Sequence, residues 1–139
     1  MGQKPITDRL VLPSRLEEVA RVEQTVLDAA AARGYDDPAR FAIKLALEEA
    51  LINAIKHGNC GESSRQVTVH FCVTDEQVEI SVCDEGCGFR PEVVPDPTLD
   101  ENLEKPNGRG LMLMHAYMSE VRHNDTGNCV TLIKRRGDD

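Results

Sequence analysis

The sequence predicts an α+β fold, a two-layer α/β sandwich in which a mainly antiparallel sheet carries its helices on one face. Three observations predict it. Apolar and polar residues alternate through 67–73 and 78–82, the pattern of strands with one buried face. Two long segments ahead of them repeat their apolar residues at helical spacing instead. The resulting order, β-α-α-β-β-(loop)-α-β-β, layers helices on one side of a sheet. A length of 139 residues suits one domain spanning 1–139, large enough to bury a core without a disulfide or a structural metal.

Taken in order, Thr7 to Val11 form a short first strand that Pro13 ends. Ser14 is placed to cap a helix, with Glu17 three residues later as its capping-box partner. That helix runs from about Arg15 to Arg33, carries Leu16, Val19, Val22, Val26 and Leu27 on its apolar face, and stops at Gly34. A second helix starts after Asp36-Asp37-Pro38, an acidic cap followed by proline in the first turn, and ends near Gly58-Asn59. It is apolar on most sides, as a helix sandwiched between other elements must be. Thr74 to Gln77 join the two alternating strands as a hairpin. Residues 89–107 form a long loop with four prolines, expected to act as a lid. Gly108-Arg109-Gly110 opens a third helix. Strands at about Glu120–Asn124 and Asn128–Arg135 close the domain around an Asp125-Thr126-Gly127 turn, and the tail 136–139 is expected to be disordered.

Composition excludes several functions. Aromatic residues are 4% of the chain with no Trp, so a mostly aliphatic core is expected and the composition argues against a platform for stacking bases. A formal net charge of −8 repels nucleic acid and anionic lipid, so neither DNA, RNA nor a membrane is an expected partner. A polyanion would have to be bound through backbone amides or a metal. The first residues carry no apolar run of a signal peptide, and no stretch reaches the ~20 apolar residues of a membrane span, so a cytoplasmic location is expected. Five cysteines without a C-x-x-C pair suggest reduced, partly buried thiols, with Cys87 set apart by its place in a glycine loop.

Glu49 and Asn53 stand four residues apart on one helix face, and His57 extends the stripe. Asn offers a neutral oxygen suited to Mg²⁺ that already carries water and phosphate, and Glu can deprotonate a hydroxyl beside it. The same pair can also simply solvate an exposed face. Glu48 is rotated ~100° away and is placed to pair with Lys44. Asp84-Glu85-Gly86-Cys87-Gly88-Phe89 follows a strand, where the carboxylate can accept the exocyclic amino group of adenine and the glycines admit a flat ring. Asn107-Gly108-Arg109-Gly110-Leu111 leads into a helix, whose N-terminal amides suit phosphate. Arg109 can add a contact to phosphate or stay solvated. Neither loop is a P-loop or a Rossmann fingerprint. Together the three elements point to ATP or ADP bound with Mg²⁺.

These motifs resemble those of the GHKL ATPase superfamily. Glu49-Ala-Leu-Ile-Asn53-Ala-Ile-Lys-His57-Gly58 is similar to its N box, Asp84 to Phe89 to its first glycine box, and Gly108 to Leu111 to its second. Within the superfamily the chain is most similar to the anti-sigma factor serine/threonine kinases. The resemblance implies a Bergerat-type sandwich, with Glu49 as general base, Asn53 as magnesium ligand and Asp84 as adenine acceptor. It implies that His57, Phe89, Arg109, Leu111 and the glycines 86, 88, 108 and 110 shape the nucleotide site. It also implies phosphorylation of a serine on a STAS-type anti-anti-sigma partner, a homodimer, and a sigma factor touched through Arg21. Where many relatives read Gly-Thr near the start of the last strand, this chain has Gly127-Asn128-Cys129, and Thr131 is the candidate replacement hydroxyl. The competing expectations are a nucleotide-gated binding module without kinase activity and a histidine-kinase-type ATPase domain.

Overall fold

A computed structural model of the chain describes residues 4–59, 64–86 and 114–137. In these residues β1 (Ile6–Pro13), β2 (Gln66–Val73), β3 (Gln77–Asp84), β4 (Glu120–His123) and β5 (Cys129–Arg135) form one sheet. Its order is β1-β2-β3-β5-β4, and every neighbouring pair is antiparallel. Alternation decides what faces the core. Val67, Val69, Phe71 and Val73 on β2, and Val78, Ile80 and Val82 on β3, are all buried. Register places Val69 opposite Val82 and Ile80 opposite Leu132, so the apolar rows of adjacent strands merge into one surface.

Two helices cover that surface. α1 (Val19–Ala32) contributes Val22, Val26 and Ala30, and α2 (Asp37–Asn53) contributes Ile43, Ala46, Leu47, Ala50 and Leu51. The cap of α2 follows the expectation from sequence: the Asp36 side chain accepts from the Ala39 amide at 3.0 Å, with Pro38 in the first turn. The cap of α1 does not. Ser14 turns inward to Asn59, a 3₁₀ turn (Leu16–Glu18) intervenes, and the helix proper starts at Val19 with no side-chain cap. A buried partner at 3.1 Å draws the hydroxyl away from the helix end. Lys44 pairs with Glu48 at 3.3 Å, as the spacing predicts, and also reaches Glu23 on α1 at 3.6 Å.

The C-terminal end of α2 departs from the single helix expected. After Asn53 it widens into a π-turn, Ala54–Gly58, which the Asn59 amide closes on the Ala54 carbonyl at 2.8 Å. Two further expectations are corrected. Cys83 and Cys129, opposite each other on β3 and β5, form a disulfide, whereas reduced thiols were expected. Spacing along the chain carries no trace of this pairing, which cross-strand register creates. Cys72 is free and half-buried, and Cys60 and Cys87 lie outside the described residues. Arg136, assigned to a disordered tail, stacks over the Tyr35 ring at 4.1 Å and donates to the Arg33 carbonyl at 2.5 Å. The lid at 89–107 and the start of the third helix lie outside the described residues, while 114–117 are helical. No helix among the described residues is long and apolar enough to cross a membrane.

Candidate nucleotide site

A cavity of about 510 Å³ opens where the end of α2, the end of β3 and the β4–β5 turn meet. α2 and the π-turn contribute Asn53, His57 and Gly58; β3 contributes Val82 and Asp84; the turn contributes Asn124, Asp125 and Asn128. Ala50, Ala54, Val130 and Met114 make the apolar part of the wall. Apolar walls with a few convergent polar groups are the usual make-up of a small-molecule site.

Asp84 is the polar group at the end of β3. Strand alternation gives it the same face as Val82, toward the helices. Its backbone is fixed by Asn128, which accepts from the Asp84 amide at 2.8 Å and donates its side-chain amide to the Asp84 carbonyl at 3.0 Å. Oδ1 of Asp84 is buried and has no hydrogen-bond partner among the described residues. Burial pushes this carboxyl up to about 6, with the Gly86 amide acting in the opposite direction. An orphaned acceptor on a cavity wall fits a ligand that brings an N–H donor, as the exocyclic amine of adenine does.

Asn53 closes α2 with its side chain half-buried at the cavity, and His57 is exposed at the mouth. Among the described residues no group of three His, Cys, Asp or Glu side chains stands close enough to hold a metal ion. Asn53 places a neutral side-chain oxygen at the cavity, a donor type that a hydrated, oxygen-seeking cation carried on a phosphate ligand can use. Glu49 lies one turn before Asn53 and is half-buried. Helix α2 faces the cavity through Ala50 and Asn53, so Glu49 flanks this wall at its edge.

The structure separates other predicted residues from this cluster. Thr131 is opposite Ser81 and shares a hydrogen bond with it at 3.2 Å, on the sheet face turned away from Val82 and Asp84. A hydroxyl there does not reach the cavity, and Asn128 occupies the position beside Asp84 instead. Gly86 has φ 76°, which glycine adopts without strain, and its carbonyl accepts from Arg65 at 2.6 Å. Gly88, Phe89, Gly108, Arg109, Gly110 and Leu111 lie outside the described residues. Arg21 is 54% exposed and ion-paired with Glu18 at 2.9 Å.

Sequence reasoning missed Asn128, Gly58 and Asn59. Asn128 read as the start of the last strand, Gly58 as the end of the N-box-like stretch and Asn59 as part of a helix stop, with no contact to Asp84 or its loop foreseen, because their partners are 44 and 26 residues away.

Residues 12–134 match the model of the histidine kinase-like ATPase domain, and the chain belongs to that family. Within it, the chain is a member of the anti-sigma factor serine/threonine kinase family, on its similarity to proteins named serine-protein kinase RsbW. That of Bacillus subtilis is 30% identical over 132 residues, covering 88% of this chain and 81% of the relative. That of Bacillus licheniformis is 31% identical over 131 residues with the same coverage, 88% and 81%. That of Listeria monocytogenes is 29% identical over 132 residues, or 90% and 84% of the two chains. A crystal structure of the RsbU and RsbW domains of a Mycobacterium tuberculosis protein shares the fold. It superposes with a TM-score of 0.67 at 23% identity over 96% of this chain, which spans 32% of that longer one.

Proposed function

We propose that this chain is an ATP-dependent protein serine kinase that phosphorylates a STAS-type anti-anti-sigma protein and holds a sigma factor through a surface including Arg21. The observation that carries the reading is the convergence of Asn53, His57 and Asp84 on one cavity, with a buried Asp84 oxygen left to accept a hydrogen bond. The serine-protein kinase relatives support the choice of acceptor. A homodimer in the cytoplasm is the working form on this reading, with no direct contact to nucleic acid or membrane.

Mg-ATP, when bound, supplies the phosphoryl group and the charge that offsets its transfer. Asp84 orients the purine by accepting from its amine. Asn53 would hold the metal end through its side-chain oxygen, and the second glycine motif, Gly108 to Gly110, would offer backbone amides to the phosphates. Glu49 would take the proton of the attacking serine hydroxyl as the serine O–P bond forms and the bond from the γ-phosphorus to the β–γ bridging oxygen breaks, with ADP as the leaving group. Gly86 and Gly88 keep side chains away from the ring.

Glu49→Ala tests the division of labour. ADP affinity stays within about twofold while transfer to the STAS partner falls by on the order of 10²-fold or more. The position of Glu49 at the edge of the cavity wall favours one rival, a nucleotide-gated binding module without transfer. A wild-type chain that binds ADP and the STAS partner but transfers no phosphate establishes that rival. Asn53→Ala abolishes the magnesium-dependent part of nucleotide binding under either reading, measured by calorimetry with and without Mg²⁺.

A further inference from the structure

Asn59 is completely buried, with 0% of its surface exposed, and its side chain is used to capacity. Nδ2 donates to Ser14 Oγ at 3.1 Å and to the Gln66 carbonyl at 3.0 Å. Oδ1 accepts from the Glu85 amide at 2.9 Å and the Gly86 amide at 3.3 Å. Those two amides begin the loop that follows Asp84. One side chain at the end of the π-turn therefore fixes the path of the backbone leaving β3. The residue before it, Gly58, lies against the carboxylate itself. A methyl carbon built on Gly58 would stand 2.8 Å from Asp84 Oδ1 and closer still to Cγ and Oδ2. The φ of Gly58 is not positive, so what this position requires is empty space rather than an unusual backbone.

We propose that Gly58 and Asn59 are positioning residues for base selection: Gly58 leaves the room that the Asp84 carboxylate fills, and Asn59 holds the outgoing loop so that Asp84 stays on the cavity wall. Through them the turn that ends the metal-binding helix sets the hydrogen-bond acceptor for the base. The inference rests on the nucleotide reading of this cavity and goes beyond it, because neither residue touches the ligand. A side chain at 58 displaces the carboxylate. Loss of the amide at 59 releases the loop and leaves two backbone N–H groups without their acceptor.

The test compares ADP with inosine diphosphate, which presents a carbonyl where adenine presents its amine, by calorimetry in Mg²⁺ on the full chain. The wild-type chain prefers ADP by on the order of tenfold or more, as a buried acceptor without a donor partner is penalised. Gly58→Ala and Asn59→Ala bring that ratio toward one, chiefly through weaker ADP binding, with inosine diphosphate affinity changed by less than about threefold. A merely structural role weakens both nucleotides alike. An equal loss for both, or a ratio as in wild type, overturns the inference. Should Asn59→Ala fail to fold, Gly58→Ala decides alone. Asp84→Asn separates the two levels. If it collapses the ratio while Gly58→Ala does not, the positioning role is wrong and the adenine reading stands. If the wild-type chain shows no preference, the adenine reading falls and this inference with it.

Discussion

Asp84 is held in a compromise between fold and ligand. Its folded pKa of about 6 exceeds the ordinary 3.8 because burial penalises the charged form. Stability from the protonated group is therefore fully present below pH ~3.8 and lost as pH rises through ~6. Asp84→Asn accordingly raises the thermal midpoint at pH 7.5, and the gain shrinks toward pH 4, measured by scanning calorimetry in the absence of nucleotide. ADP binding moves the other way: it weakens as pH falls through ~6, because a neutral carboxyl is a weaker acceptor than the carboxylate and adds an O–H donor. The sequence placed Asp84 at the end of a strand beside a helix stripe, and that much of the site was legible. Asn128 was not, because its role exists only where β3 and β5 come into register, and Thr131 was misassigned for the same reason: a shift of three residues along a strand puts a side chain on the opposite face. For the remaining glycine-loop residues, sequence and resemblance carry the assignment.

At the level of elements, the α1–α2 seam holds a buried acid. Glu23 is pushed up to about 7, first by burial and then by hydrogen bonding and repulsion from Glu48, against the pull of Lys44. Its contribution is fully present below the ordinary 4.5 and is lost as pH rises through about 7. Glu23→Gln therefore stabilises the chain at pH 8 by a few degrees in thermal midpoint and leaves it unchanged at pH 4. A variant that tracks wild type at both pH values refutes this account. Helix limits were readable where the signal is local. Asp36 and Pro38 begin α2 as composition requires, since a cap bonds within its own first turn. Ser14 carries an equally good local signature and fails it, because Asn59 offers a buried partner 45 residues away. The π-turn was illegible for a related reason: one extra residue in the turn leaves the apolar rhythm of FAIKLALEEALINAIKH intact while it carries Gly58 to the Asp84 carboxylate.

Across the whole molecule, alternation and helical spacing were enough to give five antiparallel strands under helices, because each strand buries one face and register follows from that demand. The Cys83–Cys129 disulfide escaped notice since it depends on which strands become neighbours. It crosses β3 and β5 on the face behind Asp84 and Asn128 and closes a separation of 46 residues. Loop-closure entropy assigns such a bridge ~4 kcal/mol. Reductant, or Cys129→Ser, should then lower the thermal midpoint by about 10 °C, and the variant's midpoint should no longer respond to reductant. The stretch between the two half-cystines includes the second glycine motif and the proline-rich segment. A single protease cut anywhere from Asp84 to Asn128 therefore opens a ring and leaves the two fragments joined through the disulfide: nicked protein migrates as one species on a denaturing gel without thiol and parts into two fragments when thiol is added.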